Sequence, residues 1–180
     1  LVNNVIPENT IEEMDQALDA AMDFALSLGI TQIHDMGSWK SLETYKRNHK
    51  KGLLKLRIKI YPWYTNWEKI IRNVQDNGPG DEWLRWDGIK GMMDGSLGSR
   101  TAWMHRPYLN DPFSSEKEEL PTVGIITLQD TTEFKHILRE TDKANIQHAV
   151  HAIGDRANDW ILDEFASIKN ELGQKDRRCR

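Results

Sequence analysis

The chain has 180 residues, 38% of them apolar and 29% charged, with 24 basic against 28 acidic side chains and a formal net charge of −4. That mild acidity argues against a general binder of nucleic acid or of an anionic membrane, and no apolar run approaches the roughly 18 residues of a membrane span. The length suits a single unit over residues 1–180, and the one cysteine, Cys179, excludes an internal disulfide and a multi-cysteine zinc cluster and points to a reducing, cytoplasmic compartment.

The chain opens Leu1-Val2-Asn3-Asn4, without the basic region and apolar stretch of a secretory signal. With no initiator Met it reads as cut from a longer chain. Residues 1–30 carry acids and no base, whereas 40–59 carry eight bases and one acid, Glu43; these read as neighbouring solvated faces. Thr10 with Glu13 three residues on is a capping box, and Ile11, Met14, Leu18, Ala21, Met22 and Ala25 follow on one helical face up to Gly29. Ile30 to Asp35 is a short strand, a helix covers 40–50, and Leu53 to Tyr61 is the next strand, closed by Pro62. Trp67, Ile70, Ile71 and Val74 mark a helix starting near Asn66, and Asn77-Gly78-Pro79-Gly80 is a turn. Trp86 to Met92 is a strand, and an irregular stretch runs from about 93 to 128. Asp130 and Glu133 cap a helix carrying Phe134, Ile137, Leu138 and Thr141. Ile146 to His151 is a strand, and a last helix with Ala157, Ile161, Phe165, Ile168 and Leu172 ends at Gly173.

Strands alternating with helices imply a parallel α/β sheet with right-handed crossovers, either an open doubly wound sheet or part of a (β/α)₈ barrel. No glycine fingerprint follows the first strand, where the run is His34-Asp35-Met36-Gly37-Ser38, which weakens a dinucleotide-binding reading. The 93–128 stretch far exceeds the usual βα loop of ~2–6 residues, and long loops at strand C-termini are where barrel enzymes build sites. Leu54 to Ile60 alternates strictly between apolar and basic residues, although a parallel strand covered on both faces is nearly all apolar. Its basic residues either point into a polar interior or place the strand at an edge.

Two segments carry the candidate chemistry: Gly88 to Ala102, containing Lys90 and Asp94-Gly95-Ser96-Leu97-Gly98-Ser99-Arg100, and His148 to Ala157, containing His151-Ala152-Ile153-Gly154-Asp155-Arg156. Each runs from a strand into a loop or helix, the functional edge of a parallel α/β fold. Side chains alternate along a strand, so His148 and His151 cannot chelate one metal; His151 sits at the mouth and His148 reads as packing or surface. Asp155 is either part of a site or the N-cap of the following helix. An ammonium at Lys90, inside a sheet, is costly unless paired or modified. Either it pairs with an acid such as Asp94 or it is carbamylated, with a terminal carboxylate that ligates metal. Read as a phosphate loop, the glycine run lacks the required Gly-Lys-Ser/Thr ending.

These residues resemble the amidohydrolase superfamily, and more closely the amidohydrolase 3 family of metal-dependent hydrolases, which includes N-substituted formamide deformylase. The resemblance rests on Gly29-Ile30-Thr31 through His34-Asp35-Met36-Gly37, on Lys90 with Asp94 through Ala102 and Pro107-Tyr108, and on His151 through Ala157. It implies a (β/α)₈ barrel with a divalent metal centre, usually zinc, of which this chain covers the second to fifth strands, a partial TIM barrel of four parallel strands with helices outside. It implies that Lys90, carbamylated, and His151 are metal ligands, and that Asp94, Arg100, Asp155 and His34 lie toward the substrate. It implies hydrolysis of a non-peptide amide-type C–N bond in a small molecule by metal-activated water. The family's His-x-His pair, its Ile-Glu-His histidine and its strand-eight aspartate are absent here, which truncation explains. The isolated chain is therefore expected to be inactive and to bind metal weakly through His151 and a neighbour such as His34. Two exposed sheet edges lead us to expect self-association into a homo-oligomer. A non-catalytic fragment or scaffold is the competing reading; the seven tryptophans suit either.

Overall fold

The computed structural model describes residues 7–109 and 122–180. The opening Leu1 to Asn4 and part of the 93–128 stretch lie outside the described residues. The first helix, α1 (Ile11–Ser27), starts at the predicted capping box: Thr10 Oγ1 accepts from the Glu13 amide at 3.1 Å, and the Thr10 amide donates to Glu13 Oε2 at 2.7 Å. Just past its end Gly29 takes φ +76°, a left-handed turn that favours glycine. Strand β1 (Gln32–Asp35) begins two residues later than the pattern predicts. Helix α2 (Trp39–Lys50) is capped by Ser38, whose Oγ accepts from the Ser41 amide, and leads to β2 (Arg57–Ile60). A 3-10 turn over Tyr64–Asn66 then enters α3 (Trp67–Asn77).

The single strand predicted over 86–92 is two, β3 (Leu84–Arg85) and β4 (Gly88–Met92). Between them the Trp86 indole N–H is held by the Gly78 carbonyl, and the Asp87 carboxylate is drawn onto Arg85 and Lys59, so these two residues leave the ladder. Helix α4 (Thr131–Lys143) is capped by Asp130, which accepts from the Thr132 and Glu133 amides. Strand β5 (Gln147–His151) and α5 (Asp155–Leu172) complete the order. Gly154, not Asp155, is the N-cap residue of α5; Asp155 is already in its first turn.

All strand pairs are parallel: β1-β2-β3 form one sheet and β4-β5 another. The chain just beyond β2 joins them, because the Lys90 amide donates to the Pro62 carbonyl at 2.8 Å and Trp63 bridges Lys90 in parallel. Arg180 lies along the outer edge of β5, donating to the His148 carbonyl at 3.0 Å and accepting from the Val150 amide at 2.7 Å. The result is an α/β architecture of parallel strands and helices in alternation, as the pattern predicts, except that no helix separates β3 from β4.

The position of β2, between β1 and β3, removes the edge alternative for the alternating strand. Ile58 is buried in an apolar cluster with Leu18, Met22, Leu56 and Leu84. Lys59, on the other face, is bound to the Asp87 carboxylate at 3.2 Å. A second cluster, Met93, Leu128, Phe134, Leu138, Ala157, Ile161 and Ile168, packs α4 and α5 against β4 and β5. Burying these branched and aromatic side chains is the main favourable term holding helices to strands.

Candidate functional site

The pairing of β4 with β5 sets the geometry. Lys90 lies opposite Ala149 and Met92 opposite His151. Paired residues face the same side of a sheet, and residues two apart on a strand do too, so Lys90 and His151 share one face. His148 points the other way. Its Nε2 lies 2.9 Å from Thr141 Oγ1 and its ring stacks on Phe165, so it is a packing residue.

Lys90 is partly buried, and its side chain makes no hydrogen bond or ion pair with the described residues. Desolvation alone holds the ammonium below the ordinary lysine range. The pairing with Asp94 that the sequence allows is not formed. Asp94 is fully buried instead, accepting from the Ile153 amide at 3.0 Å, the Gly154 amide at 2.7 Å and the Trp103 amide at 2.8 Å. It joins the end of β4, the loop after it and the β5–α5 turn.

His151 closes β5 with its Nε2 2.7 Å from the Gly95 carbonyl oxygen. A carbonyl only accepts, so Nε2 is the donor in this contact, and in the neutral tautomer that makes it the lone pair is on Nδ1. Asp94 Oδ1 stands 3.7 Å from the same Nε2. A metal-binding histidine commonly donates its other ring N–H to a carbonyl or carboxylate, and His151 already makes that bond.

Asp155 is exposed and accepts from the His105 amide at 2.8 Å and the Arg156 amide at 2.7 Å. These backbone bonds, the His105 one foremost, hold its carboxyl below the usual aspartate range. Arg100 stands at the turn 97–100 with φ +56°, a conformation rare for a side-chain-bearing residue. His34 lies on β1. Its Nδ1 faces Arg180 Nη1 at 2.7 Å, and it lines a cavity of about 430 Å³ with Lys59, Arg85, Asp87 and Gln147. Burial, and then the charges of Arg180 and Lys59, lower the His34 pKa.

Lys90, whose side chain has no partner among the described residues, thus shares a face with His151, whose Nε2 is engaged by the Gly95 carbonyl. Among the described residues no group of three or more His, Cys, Asp or Glu is placed to hold a metal ion. Sequence reasoning missed the Gly95 carbonyl and the amides of Trp103, Ile153 and Gly154. Backbone groups leave no side-chain signature.

A family model described as the amidohydrolase family matches residues 1–180. The chain is 31% identical over 194 residues to the protein LONG AFTER FAR-RED 3 of Arabidopsis thaliana, covering 100% of this chain and 31% of that protein. It is 25% identical to YtcJ of Bacillus subtilis (strain 168), covering 98% of this chain and 32% of that one. The crystal structure of an uncharacterized metal-dependent hydrolase from Pyrococcus furiosus superposes with a TM-score of 0.73 at 27% identity, over 93% of this chain and 34% of the hydrolase. The chain thus spans about a third of the length of the relatives it matches.

Proposed function

The chain belongs to the amidohydrolase family, and from that premise we propose that it forms part of a metal-dependent hydrolase acting on an amide-type C–N bond of a small molecule. The observation that carries this reading is the common face of Lys90 and His151, with the Lys90 ammonium unpartnered among the described residues. Sequential parallel strands with helices between them suit a segment of a (β/α)₈ barrel, whose sites lie at the strand C-termini where His151 stands. The lone Cys179 suits a cytoplasmic setting. Among the described residues no helix is long and apolar enough to cross a membrane.

The two side chains would hold a divalent metal ion, zinc by the preference of imidazole for it. Such an ion supplies Lewis acidity, polarising a carbonyl and making water nucleophilic near neutral pH. His151 would present Nδ1. Lys90, its ammonium destabilised by burial, holds a larger neutral fraction than a solvated lysine, and the neutral amine is the form that adds to carbon dioxide. That addition forms an N–C bond as one C–O π bond of carbon dioxide breaks, and the amine gives up one proton; with the proton already lost by the ammonium, two protons leave in all and a cation becomes an anionic carbamate able to offer oxygen to a metal. Asp155, Arg100 and His34 would contact substrate only if loops beyond β5 bring it to them.

Two donors are too few for a catalytic centre, so the 180-residue chain alone is inactive and binds zinc weakly. Calorimetric titration with zinc in bicarbonate buffer, beside an amidase assay on N-substituted formamides, tests this. Turnover by the chain alone would refute the inactivity, and loss of zinc binding in Lys90→Ala and His151→Gln is required by the reading.

A further inference from the structure

We propose that Asp94 is a positioning residue that fixes the tautomer of His151, so that Nδ1 is the nitrogen left free to ligate. The proposal rests on the reading of His151 as a metal ligand. The Asp94 carboxylate is 0% exposed, so it offers no surface to a substrate. Both its oxygens are engaged by backbone: Oδ1 by the Ile153 amide, and Oδ2 by the amides of Trp103 and Gly154. One side chain therefore ties the end of β4 to the turn that follows β5.

The tie is geometrically demanding. A Cβ on Gly154 would lie 1.9 Å from the Trp103 carbonyl oxygen, and one on Gly95 would lie 1.9 Å from Thr101 Oγ1. At Gly154 the two segments meet backbone to backbone, and at Gly95 the backbone lies against the Thr101 side chain; neither approach leaves room for a Cβ. With Asp94 anchored, the carbonyl of the next residue, Gly95, stands 2.7 Å from His151 Nε2. A bare Nε2 would set two lone pairs against each other there, so the proton belongs on Nε2. The Asp94 charge, 3.7 Å away, is too far for a good hydrogen bond but near enough to favour the same N–H. An asparagine at this position keeps the volume, loses the charge and offers one acceptor oxygen to three amides.

The tautomer can be read without metal. The 180-residue chain labelled with ¹⁵N-histidine and held at mildly alkaline pH gives long-range proton–nitrogen spectra, with His151 assigned by its loss in His151→Gln. The expected wild-type pattern is a protonated Nε2 and a bare Nδ1. In Asp94→Asn both tautomers are expected in comparable amounts. A bare Nε2 in the wild type, or a folded Asp94→Asn with the wild-type pattern, overturns the proposal. If Asp94→Asn does not fold, hydrogen exchange in the wild type decides. The amides of Trp103, Ile153 and Gly154 are expected to exchange at least about 100-fold slower than in an unstructured peptide, and exchange at free-peptide rates overturns the assignment. Zinc titration is a separate readout: its failure removes His151 as a ligand, while the tautomer result still decides what Asp94 does.

Discussion

Replacing His148 by glutamine isolates the acid sensitivity of the core. His148 is 1% exposed on β5, with Nε2 2.9 Å from Thr141 Oγ1 and its ring 5.9 Å from that of Phe165. The Thr141 hydroxyl donates to the Ile137 carbonyl at 2.6 Å, so its oxygen is free to accept the His148 N–H. Burial disfavours the imidazolium and holds the His148 pKa at about 4; Asp142 opposes that shift while Lys175 and Arg177 add to it. In the unfolded chain the ring titrates near the ordinary ~6.5. Between those values the unfolded state binds the proton and the folded state does not, so stability falls as pH drops from about 6.5 and levels off below about 4. The interval corresponds to roughly 3 kcal/mol, a large share of the ~5–15 kcal/mol typical of a domain. Urea titrations followed by tryptophan fluorescence at a series of pH values give the profile for each protein. Carboxylates such as Glu171, held at about 2 chiefly by Arg139, contribute equally to both proteins and cancel in the difference. The variant profile should be flatter by about that amount between pH 7 and pH 4. Parallel profiles would refute the argument.

Lys90→Met should abolish zinc binding and raise stability by up to about 1 kcal/mol, because it removes a partly desolvated charge that has no partner among the described residues. Destabilisation in urea would reveal an acidic partner for Lys90. Gly154→Ala should cost about 2 kcal/mol or more, since the new Cβ falls 1.9 Å from the Trp103 oxygen, and a thermal melt checks it. Tyr61→Phe removes the 2.7 Å bond from the Tyr61 hydroxyl to Gln147 Oε1 and should cost about 1 kcal/mol by urea denaturation. Phe24, Leu28 and Ile30 are exposed on α1 and just before β1, whose outer edge pairs with no described strand; light scattering at micromolar concentration should show self-association, and a clean monomer would count against it.

Local signals placed most elements within a few residues. The Thr10–Glu13 box, the left-handed Gly29 and Gly173, and the Asp130 cap are all short-range chemistry, legible wherever a side chain bonds the backbone beside it. The split of β3 from β4 was not legible, because it depends on Asp87 meeting Lys59 from another strand. The alternating strand was ambiguous for the same reason: periodicity says that Lys59 and Ile58 face opposite ways, but not what lies on either side.

The sequence by itself determined that strands alternate with helices, that Lys90 lies within a strand and His151 at the end of one, and which family they mark. Tertiary structure alone decided that the two share a face, because that follows from the register of β4 against β5. It also decided that Asp94 serves the backbone rather than Lys90. The amides it binds are contributed by residues 9 to 60 positions away, and every residue but proline carries such an amide, so no pattern of side chains announces them.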